Sequence, residues 1–362
     1  MLKKMISLML FAALLGVGLS TLLPGHSSTA PPESFWELGS WADRVLKSRL
    51  SSYETLSQLA PSLLLLGGAK EQDGIFITRD YLLENITSGT DNPSDQNLAA
   101  IDTFLEDHNI PAIVMLIPTA CAIKQQETPA LAQLYNQKSL IASVYDHLSG
   151  KATTVDVYTE LFAARDQYTY YRTASNLTGL GGYYVYAALV GRRGLVPRSL
   201  SQFEVEHLPQ DYYGDLYSRS SYKSIRPDII TLYRFTRSTP QYQVMHTGED
   251  GFLKSYYTLF PRHWAALGHP ENVVLGGFSP RMDLFSSLAD SDSLLIFADD
   301  TVLSYLPFLM IHFGRVTVID LERYAPESLK LLDMEEYDQV MFAYSVGNFI
   351  DRPITRALSN II

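Results

Sequence analysis

The sequence predicts a three-layer α/β sandwich built on a mostly parallel sheet, and three observations predict it. Short apolar runs such as Ala112–Ile117 and Ser293–Phe297 lack polar alternation, as strands buried on both faces do. The segments between several of these runs repeat apolar residues at helical spacing, so helices would cover both sides of the sheet. Finally, 362 residues with 46% hydrophobic content are enough to bury such a core.

Taken in order, Lys3 and Lys4 precede Met5–Leu23, nineteen residues without a charge, and a polar stretch from Pro24 to Pro32 follows. That pattern is an export segment. Ser28-Thr29-Ala30 suits cleavage, but Pro31 directly after it does not, and nineteen residues are close to a membrane span. Residues 1–30 are therefore read as a signal peptide or a membrane anchor, with the remainder facing outward. Residues 31–65 form a polar lead, helix-like over Ser34–Gln58, and residues 66–362 form the α/β domain. Its strand candidates are Gly74–Thr78, Ala112–Ile117, Thr153–Val157, Ser293–Phe297, Arg315–Ile319 and Gln339–Tyr344. Ser94 is placed to cap a helix carrying Leu98, Ile101 and Leu105 on one face. Ser139 is placed to start another with Ile141, Val144, Tyr145 and Leu148, stopped by Gly150. From Val196 to Leu275 the pattern loosens into Tyr-, Ser- and Asp-rich sequence, read as an insertion near 196–275 with Asp228–Leu232 as its clearest strand.

Composition removes several classes of function. The chain has 28 basic and 39 acidic residues, a net charge of −11, and shows none of the Lys/Arg clustering that phosphate backbones require, so no nucleic-acid partner is expected. Its single cysteine, Cys121, lies in an apolar stretch after Pro118. It forms no zinc-type cluster with the eight histidines, and neither metal nor cofactor is expected.

Ligands of open parallel sheets sit beyond the carboxyl ends of the strands, and the residues there are distinctive. They are Asp73-Gly74-Ile75-Phe76; Met115 to Ala120; Tyr170-Tyr171-Arg172-Thr173 through Thr178 to Tyr183-Tyr184-Val185-Tyr186; and Leu294-Leu295-Ile296-Phe297 through Pro307-Phe308-Leu309 to Val318-Ile319-Asp320. Asp228 to Tyr233 and Tyr344 to Phe349 add two more. In this order and spacing they resemble the DHHW protein family, relatives of the alginate O-acetyltransferases with an SGNH-hydrolase-like fold, often associated with a membrane-bound O-acyltransferase. The resemblance implies an extracytoplasmic acyl-transfer or deacylation site built from Ser, His and Asp. A serine hydroxyl needs an imidazole to take its proton, and a carboxylate must fix that imidazole's tautomer. The family takes Asp and His from a Thr-Asp-His-His-Trp-Thr segment and Ser from an Asp-Ser pair at a strand-to-helix turn, where backbone N–H groups can stabilise an oxyanion.

This chain departs from that pattern at every catalytic position. The first segment reads Thr173-Ala174-Ser175-Asn176-Leu177-Thr178, so Ala174 stands at the acid, Asn176 at the base and Leu177 at the Trp. The second reads Ala298-Asp299-Asp300-Thr301, and counting back from Pro307 places Asp300 at the nucleophile. Triad members act as a unit, and losing one already removes most of the rate. Asp299 and Asp300 read as helix caps, with Asp300 filling a vacated oxyanion site. Thr301 is the alternative nucleophile, Ser304 reads as a helix-surface residue, and His312 as a helix-end or core histidine. Tyr171, Arg172, Thr173, Asp299, Thr301 and Asn348 are the candidate ligand-binding residues. Twenty-three tyrosines, several of them clustered, suit sugar rings and protein interfaces alike. The sequence thus points to an extracytoplasmic, catalytically inactive relative retained as a glycan-binding or scaffolding partner in envelope polysaccharide O-acylation. Two alternatives stand beside it: an active O-acetyltransferase or acetylesterase with relocated residues such as Thr301, and a structural envelope protein without a ligand.

Overall fold

The computed structural model describes residues 70–87, 92–220, 222–236, 240–288 and 292–361. The export segment and the polar lead expected over 1–65 lie outside the described residues. No helix among the described residues is long and apolar enough to cross a membrane.

The described chain opens with a small antiparallel sheet of β1 (Glu71–Gln72), β2 (Ile75–Ile77) and β3 (Leu82–Glu84). Asp73 and Gly74 make the β1–β2 turn at φ 50° and 73°, a left-handed conformation that Gly adopts freely and Asp tolerates. Helix α1 (Ser94–Asp107) then buries Ile101 and Phe104. Its N-cap is Pro93, not the expected Ser94, whose backbone N–H donates to Asn92 Oδ1 at 2.9 Å. Strand β4 (Ala112–Ile117) is buried at all six positions. Helix α2 (Gln137–His147) begins two residues before the expected Ser139, because the side-chain oxygen of Asn136 (Oδ1) accepts from the Ser139 N–H at 3.0 Å and acts as the cap. Strand β5 (Thr153–Thr154) stops short of the expected Val157, since Asp156 caps helix α3 (Val157–Ala163) by accepting from the Thr159 N–H at 3.1 Å. Helix α4 (Gly179–Arg192) follows, capped by Thr178.

Strands β6 (Phe203–His207) and β7 (Thr231–Phe235) form a separate antiparallel ribbon. β7 starts three residues after the expected Asp228, which instead pairs with Tyr212 in an isolated bridge. Strands β8 (Tyr242–Thr247), β9 (Leu253–Tyr256), β10 (Arg281–Ser286), β11 (Ser293–Ala298), β12 (Arg315–Ile319) and β13 (Gln339–Ser345) complete the set, with helices α5 (Leu306–Leu309) and α6 (Val346–Asp351) near the end. The main sheet has eight strands in the order β5-β4-β13-β11-β12-β10-β8-β9. From β5 to β12 every pairing is parallel; β10, β8 and β9 extend the sheet with antiparallel pairings. The stretch read as an insertion therefore contributes two strands, β8 and β9, to the sheet edge.

The parallel half carries the deepest core. Phe104 of α1 packs edge-on against Phe297 of β11 and Phe342 of β13, with centroids 5.9 and 5.3 Å apart, a favourable arrangement of ring quadrupoles. Because β4, β11, β12 and β13 run in one direction, their carboxyl ends place Thr119, Asp299, Asp300, Asp320, Ser345 and Asn348 along one edge of the sheet. That edge is where an open α/β sheet presents ligands.

Candidate functional site

The turn after β11 holds two neighbouring carboxylates in different surroundings. Asp299 is buried. Its Oδ1 accepts from the Thr301 N–H at 3.1 Å and from the Thr301 hydroxyl, and its Oδ2 accepts from the Ser345 N–H and Asn348 Nδ2, each at 2.8 Å. It caps the short 3-10 helix Asp300–Ser304 and ties β11 to the start of α6. Asp300 is the first residue of that 3-10 turn. It is not a cap, and with five residues of 3-10 helix there is little dipole to stabilise it. Asp300 accepts one side-chain bond, from Asn176 Nδ2 to its Oδ2 at 2.9 Å. Burial first, and then the adjacent Asp299 charge, push its carboxyl up to about 6, with the Asn176 bond acting in the opposite direction.

Asn176 is aimed by a clasped loop. The Tyr171 N–H donates to the Asn176 carbonyl at 3.2 Å, and the Thr178 N–H to Thr169 O at 3.0 Å. Underneath lies Asp228, fully buried, which accepts from the Arg172 N–H at 2.7 Å, the Thr173 N–H at 2.8 Å, and the hydroxyls of Thr173 and Tyr168. Thr173 and Arg172, read from sequence as ligand contacts, belong to this support. The Thr173 hydroxyl donates to Asp228 and accepts from the Gly214 N–H at 3.0 Å. The Arg172 guanidinium lies over the Tyr168 ring at 4.4 Å. Ala174 is 1% exposed, and its methyl abuts Gly214, where an added Cβ would collide with it. Asn176 and Asp300, from the two segments that carry the family resemblance, thus meet directly, while Ala174 is a packed methyl.

The other candidates fall into place around this pair. The Thr301 hydroxyl, 7% exposed by residue, donates to Asp299. Ser304 Oγ donates to the Thr301 carbonyl at 2.8 Å. Tyr171 packs edge-on against Tyr212 at 5.3 Å beside the cleft. His312 bonds to the Tyr186 hydroxyl at 2.8 Å, and burial, aided by Arg198 and Arg193, pushes its imidazole down to about 4. It is a neutral packing partner. A serine–histidine contact lies at Ser279 Oγ and His246 Nδ1, 3.0 Å apart, but His246 is buried, its Nε2 faces Leu275 O at 2.8 Å, and Ser279 donates to Arg281 O. Neither residue lines the cleft. Cys121 is buried, and burial pushes its thiol up to about 12, so it is a core residue and no nucleophile. Among the described residues no group of three or more His, Cys, Asp or Glu could hold a metal ion.

The pair stands where two cavities join. On one side is an apolar pocket of about 100 Å³ with Leu177, Leu232, Tyr233, Phe260, Val274 and Phe308 in its walls. On the other is a polar trough of about 610 Å³, bordered by Ser175, Asp215, Arg219, Asn272, Asp320, Glu322 and Asn348 among others. Asn176, Tyr212, Glu271, Asp300, Thr301 and Leu303 border both. Leu177, Tyr212, Phe260, Glu271 and Leu303 were not among the site residues read from sequence. Three of them come from the loosened 196–275 stretch, where no motif marks them.

With this geometry in view, the chain's kinship is clear from comparison. A family model described as DHHW protein matches residues 80–319 of the 362, and the chain belongs to that family. Among solved structures it is similar to a DHHW family protein from Eubacterium siraeum, at TM-score 0.65 and 19% identity, covering 80% of this chain and 96% of that one. It is also similar to Bacillus cereus PatB1, solved with a sulfonyl adduct, at TM-score 0.63 and 14% identity, covering 77% of this chain and 98% of that one. At these identities the likeness establishes the fold. No curated protein sequence matches the chain significantly.

Proposed function

We propose that this chain is a DHHW protein without acyl-transfer chemistry, retained outside the cytoplasm as a glycan-binding or scaffolding partner in envelope polysaccharide O-acylation. The observation that carries the reading is the Asn176–Asp300 hydrogen bond. At the position the resemblance gives to the base stands an amide, which does not take up a proton near neutral pH. At the position of the nucleophile stands a carboxylate that accepts from it. The remaining chemistry is recognition: an amide, a carboxylate and tyrosines at the meeting point of an apolar pocket and a wide polar trough, a combination suited to sugar hydroxyls and ring faces.

The alternative of an active enzyme using Thr301 lacks support in the geometry. The Thr301 hydroxyl donates to Asp299, and no histidine lines either cavity among the described residues. A purely structural role leaves the open cleft without a purpose. The polysaccharide and the membrane-bound O-acyltransferase enter as partners through the family resemblance, and the membrane through the amino-terminal segment if it is retained. The test is an assay of the purified chain with aryl acetates and acetylated oligosaccharides, together with binding to the deacetylated oligosaccharides. Binding without turnover above buffer is expected. Turnover that Thr301→Val or Asp300→Asn abolishes would overturn the reading.

A further inference from the structure

We propose that the cleft takes an acylated sugar whose acyl chain, longer than acetyl, lies in the apolar pocket behind Asp300 while the sugar ring lies in the polar trough; this rests on the glycan-binding reading above. The two cavities have wall residues in common, among them Asn176, Tyr212, Glu271 and Asp300. A ligand that fills both must therefore be apolar at one end and hydroxylated at the other. The pocket holds about 100 Å³, whereas a single water-sized group needs only ~10–15 Å³ by the same kind of measure. An acetyl methyl would leave most of it empty, and a chain of roughly four to six carbons would fit within it. Its walls of Leu177, Leu232, Phe260 and Phe308 offer such a chain contact and no hydrogen-bonding competition.

Charge selects the ester over the free acid. The trough is bordered by eight Asp and Glu residues against three Arg, so a carboxylate head would meet net like charge, while an ester joined to a sugar would not. The shared wall is equipped for an uncharged polar group. Asn176 uses one amide hydrogen on Asp300, leaving its carbonyl oxygen and other hydrogen, and Asp300 Oδ1 accepts no side-chain bond. These atoms suit a hydroxyl and the ester carbonyl at the join between chain and ring.

The experiment titrates the full chain at pH 7, by NMR, with methyl glucoside and its 6-O-acetyl, 6-O-butanoyl and 6-O-hexanoyl esters, with hexanoate and hexan-1-ol as controls. Affinity should rise about fourfold for each methylene added from acetyl to butanoyl, and hexanoate should bind at least about tenfold more weakly than the hexanoyl ester. Val274→Trp, at a half-buried position, and Leu177→Trp, at a buried one, both in the wall of the apolar pocket and neither bordering the trough, should each return the butanoyl ester to the acetyl level while methyl glucoside binding stays unchanged. Circular dichroism confirms that each variant is folded, and the Val274 variant serves if the Leu177 variant is not. Equal affinity for all four glucosides, or chain-length dependence that survives filling of the pocket, overturns the acyl pocket and leaves glycan binding standing. Hexan-1-ol binding as tightly as the hexanoyl ester overturns the glycan reading, and absence of binding by every compound overturns both.

Discussion

Asp228, beneath the cleft, and Asp299, at its edge, on one hand and the Asn176–Asp300 pair on the other stand close in one site, yet they are built by opposite rules. Asp228 and Asp299 are each buried and each accepts four hydrogen bonds, including backbone N–H donors from distant parts of the chain. These are the charge-assisted bonds that fix loops in place. Asp300 accepts one side-chain bond, and burial and the adjacent Asp299 charge push its carboxyl up. The frame has its hydrogen bonds satisfied, and the pair has capacity left over. On the proposed reading, in which acyl-transfer chemistry is lost, the fully bonded frame is what keeps the shape of the cleft.

The largest effect is expected on breaking the frame. Asp228→Ala leaves two backbone N–H groups and two hydroxyls without their acceptor in a buried place, and should lower the unfolding free energy by about 3–5 kcal/mol. Urea unfolding followed by circular dichroism measures this, and the m-value shows whether the transition stays cooperative. A loss below about 1 kcal/mol would mean that the clasp under Asn176 is held by other contacts.

Asp300→Asn sharpens the contrast from the other side. A carboxyl raised in the folded chain binds its proton more tightly there than when unfolded, so its penalty is absent below about pH 4, grows as pH rises through about 6, and is complete above. The amide removes that penalty and still offers Asn176 an acceptor. The difference in unfolding free energy should therefore move in the variant's favour by about 2 kcal/mol between pH 4 and pH 7. A difference that stays flat across that range would show that burial places no penalty on the Asp300 charge.

What the sequence made legible follows the same division. Continuous apolar runs set β4 and β12 at their observed bounds and β11 and β13 within one residue, because strands buried on both faces leave no polar position to confuse the reading. The turn at Asp299–Asp300 and the segment around Asn176 were found because the family's frame residues surround them in fixed order. The caps were misplaced by one to three residues, since Asn136 and Pro93 compete with nearby serines for the same role and only the fold decides. The apolar pocket could not be read at all. Its walls come from α4's approach, β7 and residues 260–274, joined by tertiary packing and carrying no local pattern. The antiparallel edge was missed for a related reason: β8 alternates over a half-buried surface within a Tyr-rich stretch that resembles loop in composition.

The smallest effect is expected at Thr301, and it bears on chemistry more than on stability. Its hydroxyl donates to Asp299, which is already held by the Thr301 N–H, the Ser345 N–H and Asn348. Thr301→Val keeps the shape and the three remaining donors, so the loss should be about 1 kcal/mol, the worth of one hydrogen bond to a charged group less what the remaining donors recover. A nucleophilic threonine needs a base to take its proton, and a carboxylate engaged by four donors is a poor one. Exposure to a sulfonyl fluoride should therefore add no mass to the wild-type chain, and none to the variant. Stoichiometric labelling of the wild type that Thr301→Val removes would show that Asp299 serves the hydroxyl as a base, and the division between bonded frame and open pair would have to be redrawn one residue along the chain.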